Sequence, residues 1–441
     1  MRKLVVLGGG ESGVGAALLG KKEGFDVFVS DGSKIADQYK AELLKNNIQF
    51  EEEIHTVEKI EIADVLVKSP GIPDHIALIK DLIARGLDPI SEIEFAFRFC
   101  HSKIIAITGS NGKTTTTGLI HHLVEGSGMT VKVGGNYGIS FARLMIEDDV
   151  PEVFVLEISS FQLDGMRVFR PDVAIMLNIT PDHLDRYDYD LEKYALSKMS
   201  ITRNQLHGDL FILNADEIDR MDDLSELENG EPEIALVSME MTEEGIFDLD
   251  LENEYEYENE SLAGKHNLFN TQCAVFAAEW MGVEIDHIEK KLKSFKNLPH
   301  RMEKLEKVNG VSFINDSKAT NVDAVQFALD AMEDGVIWIA GGTDKGNDYA
   351  SIKELVSDKV KSLICLGVDN KALIESFSGV VSEILETKDI NEAVQEAFRL
   401  AEGNGTVILS PACASFDLFK NYIDRGDQFK AAVQALRLEN K

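Results

Sequence analysis

Residues 108–115 read Thr-Gly-Ser-Asn-Gly-Lys-Thr-Thr. A glycine turn that ends in Lys-Thr is suited to holding phosphate. Gly109 and Gly112 tolerate backbone angles that other residues resist, so the chain can curl and aim successive N–H groups at an anion. The amides of Ser110, Asn111 and Thr115 belong to the same cradle, Lys113 can reach the outer phosphates, and the Thr114 hydroxyl can ligate Mg²⁺. The loop is a short variant: the general motif has a glycine where Ile107 stands. An ordinary glycine-rich strand-to-helix turn would show the same spacing.

The flanking elements decide what such a loop can do. An apolar run, Ile104–Ile107, precedes it, and a helical pattern follows to about Glu125, adding the positive end of a helix dipole. A second apolar run, Val153–Leu156, is expected beside the loop strand in a parallel sheet. Glu157 closes that run and could join Thr114 on Mg²⁺, or be an ordinary strand-end acid. A third, Val173–Leu177, leads into Asn178-Ile-Thr-Pro-Asp-His183-Leu-Asp-Arg186. His183 falls on the face expected to carry the phosphate loop, as a ligand or as a structural histidine. Lys198 follows on a helix whose periodicity alone makes it a surface lysine with no role.

The 441 residues divide into three α/β blocks, expected at 1–101, 102–298 and 299–441. The first has strands at Leu4–Leu7, Val27–Ser30 and Val65–Lys68, with Gly8-x-Gly10-x-x-Gly13 after the first strand and Asp31 after the second. Taken alone this is a dinucleotide fingerprint, yet the geometry serves any diphosphate-bearing nucleotide, and nothing downstream suggests hydride chemistry. The second block carries the phosphate loop and a helix from about Asn267 to Met281. The third alternates strands (Val311–Ile314, Val336–Ala340, Ser362–Leu366, Val407–Leu409) with helices. Three of its strands run into polar loops, Asn315–Asn321, Gly341–Asp348 and Ser410–Asp417. Loops at strand C-termini are where α/β sheets bind ligands, and these carry Lys318, Lys345 and many donors, suited to a small anion. The fold class is α/β with a Rossmann-like N-terminal domain, a central P-loop-type ATPase domain and a C-terminal Rossmann-like doubly wound domain.

Composition narrows the class further. An apolar fraction of 44% supports a core in each block. The formal net charge of −33 argues against nucleic acid and anionic membranes as partners. Much of the excess lies between Asp216 and Glu260, with 19 acidic residues against one basic residue, Arg220, which reads as solvated surface. The four cysteines are far apart and lack zinc spacing, as expected for free thiols in a reducing cytoplasm. No run suits a signal peptide or a membrane helix.

The combination of motifs resembles the Mur ligases and the folylpolyglutamate synthetases. The resemblance is carried by Thr108–Thr115, Pro181-Asp-His183-Leu-Asp, Lys198, His266-Asn267-Leu-Phe-Asn270, Pro299-His300-Arg301 and Asn315–Asn321. Gly341-Gly-Thr-Asp-Lys-Gly and Ser410-Pro-Ala-Cys-Ala-Ser-Phe-Asp resemble the branch that adds D-glutamate to UDP-N-acetylmuramoyl-L-alanine. The resemblance implies an ATP- and Mg²⁺-dependent ligase that forms an acyl phosphate, acts on small molecules in the cytoplasm and is a monomer. It implies Lys113, Thr114, the loop amides and Arg301 at the triphosphate, with Asn267, Asn270, Asp316 and Lys318 on the nucleotide. Glu157 and Thr114 would hold one Mg²⁺, and His183 a second together with Lys198, which the resemblance makes a carbamate. Ser12, Asp31, Ser33, Ser69 and Gly71 would meet the UDP moiety, and Asn136 and Ser159 the reacting carboxylate. Thr320, Lys345, Ser415 and backbone near Tyr422 would hold D-glutamate. The chain departs from the pattern at Glu11 and at Gly32-Ser33, where other members place Thr and Arg. A ligase for another amino acid, or a nucleotide-dependent switch, are the competing readings.

Overall fold

The structure is a computed structural model that describes residues 1–218, 232–262, 264–344 and 346–440. It divides into two compact units, Met1–Phe295 and Lys296–Lys441.

The first unit holds two parallel sheets. One comprises β1 (Lys3–Leu7), β2 (Asp26–Ser30), β3 (Gln49–Glu51), β4 (Val65–Lys68) and β5 (Pro89–Ile90), in the order β3-β2-β1-β4-β5. The other comprises β6 (Lys103–Thr108), β7 (Val131–Gly135), β8 (Val153–Glu157), β9 (Val173–Met176), β10 (Leu210–Asn214) and β11 (Glu233–Val237), in the order β11-β10-β9-β6-β8-β7. Strand β6 pairs in parallel with β8 on one side and β9 on the other, Ile107 opposite Glu157 and Ile175. In both sheets the strand order reverses at the strand that ends in a glycine turn, and this reversal opens a crevice beyond the strand ends. The buried run Ile-Ile-Ala-Ile suits a central strand covered on both faces.

The two sheets of this unit share a core. Leu4 and Val6 of the first sheet belong to one apolar cluster with Ala106, Leu156 and Met176 of the second. A buried acid fastens the seam: Glu94 Oε2 accepts from the amides of Arg167, Val168 and Phe169 at 3.0, 3.0 and 2.9 Å. Beside it Ser91 donates its amide to Gly165 O at 2.8 Å, and a Cβ on Gly165 would lie 2.6 Å from Ser91 N.

The second unit is built on β12 (Glu303–Lys304), β13 (Ser312–Asn315), β14 (Val336–Ala340), β15 (Val360–Leu366), β16 (Glu383–Thr387) and β17 (Thr406–Leu409), in the order β12-β13-β17-β14-β15-β16. All pairs are parallel except β12 with β13. Trp338, fully buried on β14, donates its indole N–H to Ser410 O at 2.7 Å, so the core also anchors one of the polar loops.

Candidate functional site

The first crevice lies past the ends of β1, β2 and β4. It is a cavity of about 490 Å³ whose lining includes Glu11, Ser12, Asp31, Ser33, Ser69 and Gly71, so five candidate residues for the UDP moiety share one wall. Gly8 has φ +97°, and a Cβ there would lie 2.5 Å from Ser69 Oγ. Only glycine lets the chain pass so close. The Ser69 hydroxyl is buried without a hydrogen-bond partner, a group that a ligand would satisfy. Asp31 is already engaged with its own turn, accepting from Gly9 N at 2.6 Å and Ser33 N at 2.8 Å. His55, unremarked in the sequence, also lines the cavity and shares a 2.8 Å hydrogen bond with Ser30 Oγ.

The phosphate loop joins β6 to the helix Lys113–Val124. Gly109 has φ +146° and Gly112, the helix N-cap, φ +85°. A Cβ on Gly112 would lie 2.6 Å from Asn270 Oδ1, so the buried Asn267–Asn270 turn of the helix Lys265–Trp280 packs directly on the loop. The amides of Ser110 and Asn111 donate to Asn178 O and Oδ1 at 2.9 and 2.8 Å. These bonds fix the loop's curl. The N-terminal turn of this helix, which includes Thr115, is a position whose backbone amides and dipole suit an anion. Lys113 Nζ curls onto the carbonyls of Gly109 and Ser110 at 2.6 and 2.9 Å.

Thr114 and Glu157 meet as the spacing implies. The Thr114 hydroxyl donates to Glu157 Oε2 at 2.6 Å, and Asn136 Nδ2 donates to Oε1 at 3.0 Å. A buried carboxylate beside a hydroxyl is a hard-oxygen donor set of the kind Mg²⁺ accepts. Among the described residues no three His, Cys, Asp or Glu side chains converge on a metal position. Ser159 caps the short helix Ser160–Leu163 through a reciprocal pair with Gln162.

Lys198 is where periodicity misleads. It is 1% exposed, not a surface lysine. Asp190 caps its helix, Leu191–Met199, and Ser197 Oγ ties that helix to Asp164 at 2.6 Å. The Lys198 amine donates to Gly109 O at 2.8 Å, directly under the phosphate loop, and packs 4.5 Å over the Tyr194 ring. Burial, and secondly the charge of Lys113, push its pKa well below the usual lysine range. His183 stands at the head of the 3₁₀ turn Leu184–Arg186 with φ +54°, beside Asp182 and 5.2 Å from the Phe161 ring. Its loop is laced to the phosphate loop where Ser110 Oγ donates to Thr180 O at 2.8 Å.

The second unit gathers its three polar loops around a residue that the sequence did not single out. Arg425 is buried at the start of the helix Tyr422–Glu439. Its guanidinium donates to Ser317 Oγ (3.0 Å) and O (2.8 Å), to Gly341 O (3.3 Å) and to Cys413 O (3.2 Å). One fork thus bonds all three loops, and burial lowers its pKa to about 10. The adjacent Gly426 leaves room for the His300 ring, which a Cβ would approach to 2.2 Å. Asp316 is buried, accepting from Ser410 Oγ at 2.9 Å and Met302 N at 3.2 Å, and burial raises its pKa to about 7. Lys318 lies 5.1 Å over the Tyr422 ring, whose backbone carbonyl accepts from Ser317 Oγ at 2.8 Å. Ser415 is buried, and Thr320 and Arg301 are half-buried. Lys345 lies outside the described residues, as do 219–231 of the acidic stretch.

Two glycine-turn crevices on parallel sheets, joined in sequence to a third sheet with clustered polar loops, match a defined class. Family models match at 3–77 (MurD N-terminal domain), 107–278 (Mur ligase middle domain) and 300–413 (Mur ligase, glutamate ligase domain). The chain belongs to the Mur ligase family. A UDP-N-acetylmuramoylalanine–D-glutamate ligase of Christiangramia forsetii is 47% identical over 99% of this chain and all of its own length. One of Porphyromonas gingivalis is 47% identical over 98% of both. The crystal structure of MurF ligase from Thermotoga maritima in complex with ADP superposes with a TM-score of 0.61 at 14% identity, covering 100% of this chain and 99% of that one, a likeness of fold.

Proposed function

We propose that the chain is an ATP-dependent ligase that joins D-glutamate to UDP-N-acetylmuramoyl-L-alanine, releasing ADP and phosphate, in peptidoglycan precursor synthesis. The observation that carries this reading is the Thr114–Glu157 pair beneath the phosphate loop, in a chain alike along its whole length to D-glutamate ligases.

The substrate carboxylate takes the γ-phosphoryl group of ATP, and the amine of D-glutamate then attacks the acyl phosphate. A tetrahedral intermediate forms, phosphate leaves, and a proton is released as the amide is made. Such transfers depend on positioning and on charge placed where it develops. Lys113 exchanges its loop carbonyls for the outer phosphate oxygens, and the first-turn amides with Arg301 hold the rest. Asn267, Asn270, Asp316 and Lys318 hold the nucleoside. Thr114 and Glu157 suit one Mg²⁺, and His183 with a carbamylated Lys198 a second. The metal supplies neutralising charge at the phosphates. The burial that disfavours a Lys198 cation favours the neutral amine, the form that can take up carbon dioxide. Ser12, Asp31, Ser33, Ser69 and Gly71 grip the UDP moiety, and Asn136 and Ser159 orient the reacting carboxylate. Thr320 and Lys345 meet one carboxylate of D-glutamate, and Ser415 with Tyr422 backbone the other.

The partners in this reading are small molecules. The working unit is a monomer in the cytoplasm, organised as blocks 1–101, 102–298 and 299–441. Among the described residues no helix is long and apolar enough to cross a membrane. Mass spectrometry of a reaction with ATP, Mg²⁺, D-glutamate and the UDP-muramoyl substrate tests the reading. It requires a product heavier by one glutamyl residue. ATP hydrolysis with no such product would favour a nucleotide switch.

A further inference from the structure

We infer that Glu11 is a positioning residue that sets the UDP-substrate pocket against the carboxylate of Glu157. The inference rests on the reading of that pocket as the UDP site. The Glu11 carboxylate is already engaged within the protein, by Ser140 and Arg143.

Glu11 opens the helix Glu11–Lys22 and forms part of the wall of the 490 Å³ cavity. Its Oε1 reaches across the seam between the two sheets of the first unit. There it accepts from Ser140 N at 3.2 Å, Ser140 Oγ at 3.1 Å and Arg143 Nε at 2.9 Å. Arg143 in turn donates through Nη1 to Glu42 Oε2 at 2.6 Å. One turn further along the helix, a Cβ on Gly15 would lie 2.3 Å from Ser140 Oγ. The absence of a side chain there is what lets the helix sit so close to Ser140.

Ser140 is the far end of a tight turn. Gly135 N donates to Ile139 O at 2.9 Å, and a Cβ on Gly134 would meet that same carbonyl at 2.5 Å. The near end is Asn136, which donates its amide to Glu157 O at 2.7 Å and its side chain to Glu157 Oε1 at 3.0 Å. Glu157 accepts from Thr114 of the phosphate loop. Glu11 therefore stands at one end of a short chain of bonds running from the pocket wall, through the 135–140 turn, to the acid at the phosphate loop. A substrate bound by the first sheet must present its carboxylate at the second, so an error in this register becomes an error at the reacting atom.

The test compares Glu11→Ala with Glu11→Gln, which keeps an accepting oxygen, and with Lys22→Ala. Lys22 bridges the same seam, donating to Met145 O and Ile146 O, without lining the pocket or touching the 135–140 turn. Glu11→Ala is expected to lower kcat roughly ten- to a hundredfold and raise KM for the UDP substrate, while ATP affinity measured without that substrate is unchanged. Glu11→Gln should recover most of kcat, and Lys22→Ala should lie within about twofold of wild type. A kcat for Glu11→Ala within twofold of wild type, or equal losses in Glu11→Ala and Lys22→Ala, would overturn the inference. Should Glu11→Ala not fold, Ser140→Ala carries the test: a severalfold fall in kcat with intact ATP affinity supports the inference, and an unchanged kcat overturns it. Absence of turnover in the wild type would instead remove the ligase reading.

Discussion

The phosphate loop of the first unit and the polar loops of the second are held in different ways. The phosphate loop is fixed by two left-handed glycines and by several separate bonds, its amides to Asn178, its Ser110 hydroxyl to Thr180 O and Lys198 Nζ to Gly109 O. Its lysine, Lys113, rests on the loop's own carbonyls. The loops of the second unit share one side chain. Arg425 bonds Ser317, Gly341 and Cys413, drawn from three strand ends far apart in sequence. A loop held by several separate bonds can lose its charged side chain and keep its shape, whereas loops hung on one buried fork lose shape and function together.

The largest contrast comes from Lys113→Ala. It should lower kcat by a factor on the order of a thousand or more, because positive charge at a transferring phosphoryl group contributes several kcal/mol. Its melting temperature should stay near wild type; near-normal turnover would sink the loop assignment. Lys198→Ala should lose most activity, with partial recovery in acetate or formate, and Lys198→Arg should stay inactive because arginine cannot become a carbamate. Full activity of the arginine variant would refute the carbamate.

Arg425→Lys tests the opposite mode. Lysine cannot span three loops with a planar fork, so KM for D-glutamate should rise about tenfold and melting temperature should fall together. A change in one without the other would separate loop shape from function. Ser415→Ala and Lys345→Ala should raise KM for D-glutamate by roughly ten- to a hundredfold, with smaller effects on ATP. Equal loss for both ligands would move these residues to the nucleotide.

The last contrast concerns stability. Glu92 is 1% exposed, accepts from Ala142 N, leaves its other oxygen unpartnered and has its pKa raised to about 8 by burial, with the nearby charge of Glu11 adding to the rise. The folded state therefore keeps a proton that the unfolded chain has released. Stability from this group is full below about pH 4.5 and is lost as pH rises toward 8, by a few kcal/mol in order of magnitude. Glu92→Gln should flatten melting temperature against pH over that range. An unchanged slope would show that Glu92 does not titrate there.

How far the sequence could be read follows the same division. The phosphate loop, Glu157 and the strands around them were legible because their constraints are local: glycine spacing, apolar runs and a strand-end acid. The pairing of β6 with β8 is as expected from those runs. The edge strands β3, β11 and β16 were not singled out, since a half-exposed edge keeps little apolar pattern. Arg425, Glu92 and Glu94 were not legible as site or seam residues, and Glu11 stood out only beside the glycine turn with no role, because charged residues read as surface until their partners are known. Lys198 shows both sides: its helical periodicity pointed outward, and only the motif context pointed to the site.

The most direct measurement is phosphate release with ATP and UDP-N-acetylmuramoyl-L-alanine, comparing D-glutamate, L-glutamate and other amino acids. The account predicts release that requires both the muramoyl substrate and an amino acid, with D-glutamate strongly preferred. Release independent of either substrate, or a preference for another amino acid, would contradict it.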